Sequence, residues 1–514
     1  MNDDVYPVHY YDDDSMLRSI MVLWSFVFND VLDAEKLQGS LRRLLEKEGW
    51  RKLGGRLRLN VKGKLEVHVP QVFTSERPPV HFTHQVENMT MDQHPVARQL
   101  PKSTDQLSVQ PTPTELFLDL GLRRGGDGVP VTAYDLVNSD EPQLSVHVVS
   151  FLDATLVGFL WPHTMMDGMG RTTLIKAWSL VLAEREDEVP KFAGARDDIM
   201  ATVGTELDTT TPEPWMLKPQ IMGRLGKIRM GGRLMWDVAR HPQTLERVIC
   251  VPPATQQFLY DQALYDLQTT RNGGGDKTNA PFVSNSDVLA AWAVRLVGRS
   301  QSRPRPLTLC NIVEVRGRLP SVFPRPMTEE AYIQNATART QVFLSADEVT
   351  TRHSLSLGET ALKVRHAVAE QATEGQVRAQ IRNQRQARAA GESFLLYGDP
   401  DAVMMFLTNQ TKDGIFKNAD FGPAVVGGRK RQEEVESNNN NPPGTPVYTH
   451  TCYLKPNWLT RCAVSFWGKD YEGNVWIQMV LSADVWGKVV RILEETTEAA
   501  ARLHAGGETV RARL

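Results

Sequence analysis

Apolar residues fall along this chain in two alternating kinds of run. Residues 19–28 are rich in Val, Phe, Ile and Trp and predict a strand. Asp33 stands at an N-cap position before Leu37, Leu41, Leu44 and Leu45, whose i, i+4, i+7, i+8 spacing makes one apolar helical stripe. That helix ends near Gly49, and Leu53-Gly54-Gly55-Arg56-Leu57 turns into a second strand. Residues 144–151 and 154–161 predict two β runs joined by a short turn, and 171–185 is helical in pattern. Alternation of both element types over residues 1–200 predicts a mixed sheet covered by helices.

Residues 200–248 break this rhythm. Thr and Pro come first, then a basic stretch around Arg224, Lys227, Arg229 and Arg233, with no clean strand. The segment reads as a crossover, with one domain over 1–200 and another over 249–514. The second half resumes with a strand over 246–251 and a helix from 254 to about 267, followed by a Gly-rich loop over 271–276. Ser284-Asn285-Ser286-Asp287 is a capping box opening an apolar helix through Trp292 and Leu296. Strands are expected over 307–315 and 402–407, with a helical block, 362–388, between them. The Asn- and Pro-rich tract 438–444 predicts an exposed loop. Strands over 461–467 and 475–481 precede a final helix, and no solenoid period is visible.

Length and charge narrow the classes. At 514 residues the chain is too long for one ordinary core, and 41% hydrophobic with 23% charged residues is usual for a globular protein. A net charge of −3 gives no global reason to expect nucleic acid. The four cysteines, Cys250, Cys310, Cys452 and Cys462, form no CxxC pair, and Met1-Asn2-Asp3-Asp4 is acidic where a signal peptide would be basic. The apolar run 16–28 contains Arg18 and is shorter than the roughly 20 residues a bilayer span needs. These features predict a cytoplasmic protein without a membrane span; separately, a monomer is expected. The sequons at Asn88 and Asn335 are then incidental.

The strongest chemical signal is a strand running into Pro162-His163-Thr164-Met165-Met166-Asp167-Gly168. A histidine leaving a strand end can be reached by a ligand, and its ordinary pKa of about 6.5 leaves much of it neutral and able to take a proton. Spacing alone fits a packed histidine with Asp167 as a plain helix N-cap equally well. A metal site is disfavoured, since no third ligand stands nearby at a suitable spacing. Other signals are discounted. Asp420-Phe421-Gly422 lacks the rest of a kinase set, and the glycine runs at 125–128 and 273–275 lack the Lys-Ser/Thr of a P-loop. Gly391-Glu392-Ser393-Phe394-Leu395 fails G-x-S-x-G at its last position. Arg429-Lys430-Arg431 could meet a phosphate, but Glu433 and Glu434 follow at once and make it a solvated cluster.

His163-x-x-x-Asp167-Gly168 resembles the H-x-x-x-D-G motif of the BAHD acyltransferases, which have the chloramphenicol-acetyltransferase-like fold. Four further blocks resemble the family's in the same order along nearly the whole chain: Leu53-Gly54-Gly55-Arg56-Leu57, Ser284-x-x-Asp287-x-Leu289-x-Ala291, Arg316-Gly317-Arg318-Leu319 and Asp420-Phe421-Gly422. The chain departs from the plant pattern in following D-F-G with Pro423-Ala424, which points to a fungal biosynthetic member. Pro162 replaces the first histidine of condensation domains, which favours a stand-alone transferase.

The resemblance implies an α/β chain of two similar lobes, mixed sheets flanked by helices, with an active-site tunnel between them. It implies acyl transfer, acetyl above all, from acyl-CoA as co-substrate to a hydroxyl of a small specialised metabolite, with no bound cofactor or metal. His163 would be the general base. Asp167 would pair with Arg316 and hold the loop, and Gly168 would allow a tight turn. Thr408 would face the developing oxyanion, while Asp420, Phe421 and Gly422 would shape the CoA side. The rival readings are a carrier-protein-dependent condensation enzyme and a non-catalytic binding or scaffold protein.

Overall fold

The computed structural model describes residues 3–111, 114–122, 129–271, 282–323, 329–350, 354–392, 394–427, 441–455 and 461–504. The loop residues 272–276, the glycine run at 125–128, Ser393, the basic triplet 429–431 and the asparagines 438–440 lie outside the described residues.

Two mixed sheets dominate. One has five strands in the spatial order Tyr448–Tyr453, Met21–Phe28, Thr155–Pro162, Ser145–Ser150 and His81–Val86. The other has seven, in the order Thr337–Leu344, Leu307–Glu314, Val403–Asn409, Ala463–Lys469, Val475–Ser482, Thr244–Val251 and Ser108–Pro111. Every residue of Met21–Phe28 and Thr155–Pro162 is buried, so both faces of the first sheet's centre are covered. This is why residues 19–28 and 154–161 read as near-continuous apolar runs instead of alternating ones.

Each sheet takes one strand from the opposite half of the chain. Tyr448–Tyr453 pairs antiparallel with Met21–Phe28, and Ser108–Pro111 pairs antiparallel with Thr244–Val251. Neither exchange has a local signature, because pairing between distant strands is written in no single window. The segment 201–248 contains a helix, Arg224–Arg240, ahead of Thr244–Val251.

Helices cover the sheets as their stripes require. In Ala34–Glu46, Asp33 Oδ1 accepts from the amides of Glu35 and Lys36 at 3.0 and 3.1 Å, and Leu37, Leu41, Leu44 and Leu45 are buried against Gly168–Leu182. In Asn285–Arg299 the box closes as predicted, with Asp287 Oδ2 accepting from the Ser284 amide at 2.8 Å. The helical block 362–388 is two helices, Leu357–Gln371 and Glu374–Ala389. Thr373 restarts the second by accepting from the Gln376 amide at 3.3 Å, a competing N-cap inside an unbroken helical composition. One large apolar cluster lies around each sheet.

Candidate active site

The strand Thr155–Pro162 ends where the lobes meet, and His163 is the next residue. Its amide donates to Ile20 O at 2.9 Å, and the Met165 amide donates back to Pro162 O at 3.0 Å, closing a turn. Asn335 clamps this turn from the other lobe. Its Nδ2 donates to His163 O at 2.9 Å and to Asp12 Oδ1 at 2.8 Å, and its backbone amide reaches the same Asp12 oxygen at 2.8 Å. Asn335 was legible only as a sequon; buried in this way, its carboxamide serves the backbone of the histidine.

Asp167 serves both readings open to it in the sequence. It caps the helix Gly168–Leu182, its Oδ1 accepting from the Gly170 amide at 2.9 Å. It also pairs with Arg316, whose Nη1 and Nη2 lie 3.1 and 3.0 Å from its two oxygens. The Ala336 amide donates to Oδ2 at 2.9 Å. Arg316 spends its remaining N–H groups on Tyr332 O at 2.8 Å, Gln334 O at 2.6 Å and Glu314 Oε1 at 3.4 Å. Both side chains are buried, so the pair needs these extra bonds to offset desolvation. The carboxylate is fully engaged with the scaffold.

Gly168 does not have a left-handed backbone, so the expected tight turn is not what the residue supplies. Space is. A Cβ there would lie 2.7 Å from Gln410 Nε2, and one on Gly170 would lie 1.9 Å from the carbonyl oxygen of Ile333. The first turn of this helix is glycine-rich because another chain segment occupies the side-chain positions.

Gln410 and Arg171 went unnoticed in the sequence. Arg171 is buried one turn beyond Asp167; its guanidinium donates to Thr451 Oγ1 at 3.0 Å and to Gln410 Oε1, and stacks 3.7 Å from the Trp24 ring centroid. Burial pulls its pKa down to about 10, which leaves it charged at neutral pH. Because Arg has donors only, it fixes Gln410 with the oxygen inward and the NH₂ group toward Gly168.

A cavity of about 310 Å³ lies between the lobes. His163, Gly168 and Ile20 line it from one side, and Thr408, Gln410 and Ser465 from the other. His163 is desolvated there, which holds its pKa below the ordinary histidine value against the opposing pull of its own carbonyl, Asp167 and Asn335. Its Nδ1 has no hydrogen bond of normal geometry to another residue. Arg339 and Arg388 also line the cavity; Arg388 pairs with Asp14, whereas Arg339 lies 4.4 Å from the Phe394 ring centroid with no carboxylate partner among the described residues. The described residues contain no group of three or more His, Cys, Asp or Glu side chains placed to hold a metal.

The structure thus gathers His163, Asp167, Gly168, Arg316 and Thr408 at one place and leaves Asp420 and Gly422 elsewhere. Asp420 is exposed, its amide donating to Ser179 Oγ at 3.1 Å on the far part of Gly168–Leu182, and its Oδ1 accepting from the Gly422 amide at 3.1 Å. Phe421 is fully buried between Phe28 and Trp178, at centroid distances of 5.4 and 4.7 Å. None of the three lines the cavity; the block packs the helix that carries Gly168.

No protein-family model matches the chain. Curated relatives do, over nearly the full length. The chain is 34% identical over 496 residues to O-acetyltransferase PaAT-2 of Phomopsis amygdali, covering 95% of this chain and 97% of that protein. It is 32% identical to acetyltransferase pyiB of Pyricularia grisea, covering 96% and 94%. A Penicillium decumbens relative named transcriptional regulator calD is 33% identical, covering 96% of each. Among solved structures, F. sporotrichioides TRI101, complexed with coenzyme A and T-2, superimposes with a TM-score of 0.65 at 16% identity over 96% of this chain and 98% of that one. Vinorine synthase does so with a TM-score of 0.55 at 13% identity, over 96% and 93%. These structures share the two-lobed fold.

Proposed function

The chain belongs to the fungal biosynthetic O-acetyltransferases, BAHD-type enzymes with the chloramphenicol-acetyltransferase-like fold, and on that premise we propose that His163 is the general base that moves an acetyl group from acetyl-CoA to a hydroxyl of a specialised metabolite. The observation that carries this reading is the placement of His163: a desolvated imidazole, held neutral, facing a cavity that both lobes line.

Nδ1 is buried, so a proton placed on it leaves Nε2 as the acceptor. Nε2 takes the hydroxyl proton as the oxygen bonds to the thioester carbonyl carbon. The tetrahedral adduct then collapses, the C–S bond breaks, and the departing thiolate recovers the proton from His163. Ester and free CoA thiol are the products, and no acyl-enzyme is required. Holding acceptor and thioester in one cavity supplies much of the rate through orientation.

Asp167 takes no part in proton transfer, because Arg316, Ala336 and Gly170 use its oxygens. It holds the frame. Thr408, on the cavity wall, would donate its hydroxyl to the oxyanion, and the Gln410 NH₂, aimed by Arg171 toward Gly168, would add a second donor. Arg171 is a positioning residue that acts through Gln410. Arg339, a cavity-lining cation without a carboxylate, suits a CoA phosphate. The four free thiols, three of them buried, favour a reducing cytoplasmic setting.

The relative named as a transcriptional regulator favours testing a second, non-catalytic reading. Incubation with free acetyl-CoA and a panel of hydroxylated terpenoids, polyketides and alkaloids separates the possibilities. Thiol release matched by an acetylated product supports the proposal. Transfer only from a carrier-bound acyl group would make the chain a condensation-type enzyme, and no transfer from either donor would favour the non-catalytic reading.

A further inference from the structure

The helix Arg224–Arg240 faces the wrong way for an ordinary surface helix. Met230 is its only buried residue. Its polar side chains grip the protein: Lys227 Nζ lies 2.8 Å from Glu392, Arg229 pairs with Asp401, Arg233 donates to Asp401 O at 2.7 Å, and Asp237 accepts from Arg305 at 3.2 Å. The apolar residues point out. Leu225 is 83% exposed, Ile228 70%, Met235 74% and Trp236 61%. With Gly232 they follow an i, i+3, i+7, i+10, i+11 series, so at 100° per residue they form one continuous stripe on the side opposite Met230. A stripe of this kind on a protein surface marks a contact with something else.

Charge and size indicate what that is. The helix carries five cations and one carboxylate. Arg224 and Arg240, at its two ends, have no carboxylate partner among the described residues, and Arg240 lies 5.8 Å from the Trp236 ring centroid. A second copy seated on this face would bring like charges together. A stripe about 25 Å long and about 10 Å wide also offers only about 250 Å² per partner, well under the roughly 800 Å² of a stable protein interface. A lipid surface needs no matched shape. It takes an apolar stripe into the acyl boundary, a tryptophan at headgroup level and flanking arginines against anionic headgroups. No described helix is long and apolar enough to span a membrane, so such binding would be peripheral.

We propose that Arg224–Arg240 docks the enzyme on the surface of an anionic bilayer. The test is sedimentation of the full-length protein with vesicles of phosphatidylcholine containing phosphatidylserine, against pure phosphatidylcholine. Wild type should bind the anionic vesicles, and should lose binding in high salt. Leu225→Ser/Trp236→Ser should lower the partition coefficient by about tenfold or more, and Arg224→Gln/Arg240→Gln several-fold. Both variants lie outside the catalytic cavity and should keep acetyl transfer to a water-soluble acceptor, which shows that they fold. The proposal is overturned if wild type does not sediment with vesicles, if the serine variant binds as wild type does, or if neutral and anionic vesicles bind equally. A dimer that the serine variant converts to monomer, with no vesicle binding, would assign the stripe to self-association.

Discussion

Replacing Asp167 by Asn tests the frame around His163. The carboxylate accepts five contacts of 3.1 Å or less: three from Arg316 and one each from the Ala336 and Gly170 amides. Asn keeps one acceptor and presents an NH₂ group where the second oxygen met guanidinium and amide donors. Breaking a buried ion pair from one side costs about 3–5 kcal/mol. Glu314, 3.4 Å from Arg316 Nη1 and partly exposed, offsets a little, which places the loss near the lower end, at about 3 kcal/mol. Unfolding entropy of about 2.1 cal/mol/K per residue over 514 residues is about 1.1 kcal/mol/K, so Tm should fall by about 3 °C. Scanning calorimetry of Asp167→Asn, Arg316→Met and the double variant measures the coupling directly. A coupling of about 1–3 kcal/mol is expected, with the double variant less unstable than the sum of the singles. Zero coupling, or an Asp167→Asn protein with unchanged Tm and rate, would refute the ion-pair account.

The His163 pKa is lowered in the folded protein, so kcat/KM should hold steady through neutral pH and decline only below the ordinary imidazole range, read from a pH–rate profile. The same shift makes the unfolded chain bind the extra proton first, so stability from this residue should be complete above pH about 6.5 and be lost as pH falls toward the lowered value. Gly168→Ala should push the Gln410 amide aside and lower kcat by about tenfold or more with little change in Tm. Gln410→Ala should lower kcat similarly, and the double variant should be no worse than either single. Arg339→Ala should raise KM for acetyl-CoA several-fold in steady-state kinetics and leave KM for the acceptor unchanged; the reverse pattern would move Arg339 to the acceptor's end of the cavity.

Much of this site was legible because its parts are local. The step from strand end to His163, the N-cap at Asp167 and the block at Arg316 each occupy a few residues whose order could be read along the chain. The rest depends on contacts across the fold. Arg171 meets Gln410 over 239 positions and Asn335 meets His163 over 172, and neither residue type says so alone. Gly168 was noticed for the wrong physical reason, since only the structure shows the amide that fills its missing side chain. Asp420-Phe421-Gly422 kept its place in the order of blocks but packs a helix away from the cavity. The basic segment 224–240 read as a crossover without a clean strand because four of its six charges are held against the protein and its apolar stripe faces out, the reverse of the pattern by which a surface helix is recognised.

The central claim is that His163 performs the proton transfer and does little else. The most direct measurement is the acetyl-transfer rate of His163→Ala, taken alongside its affinity for CoA by calorimetry and its Tm. The account predicts a loss of about 10²–10⁴-fold in kcat with CoA affinity and Tm close to wild type. A variant that folds, binds CoA and transfers acetyl at the normal rate would contradict it.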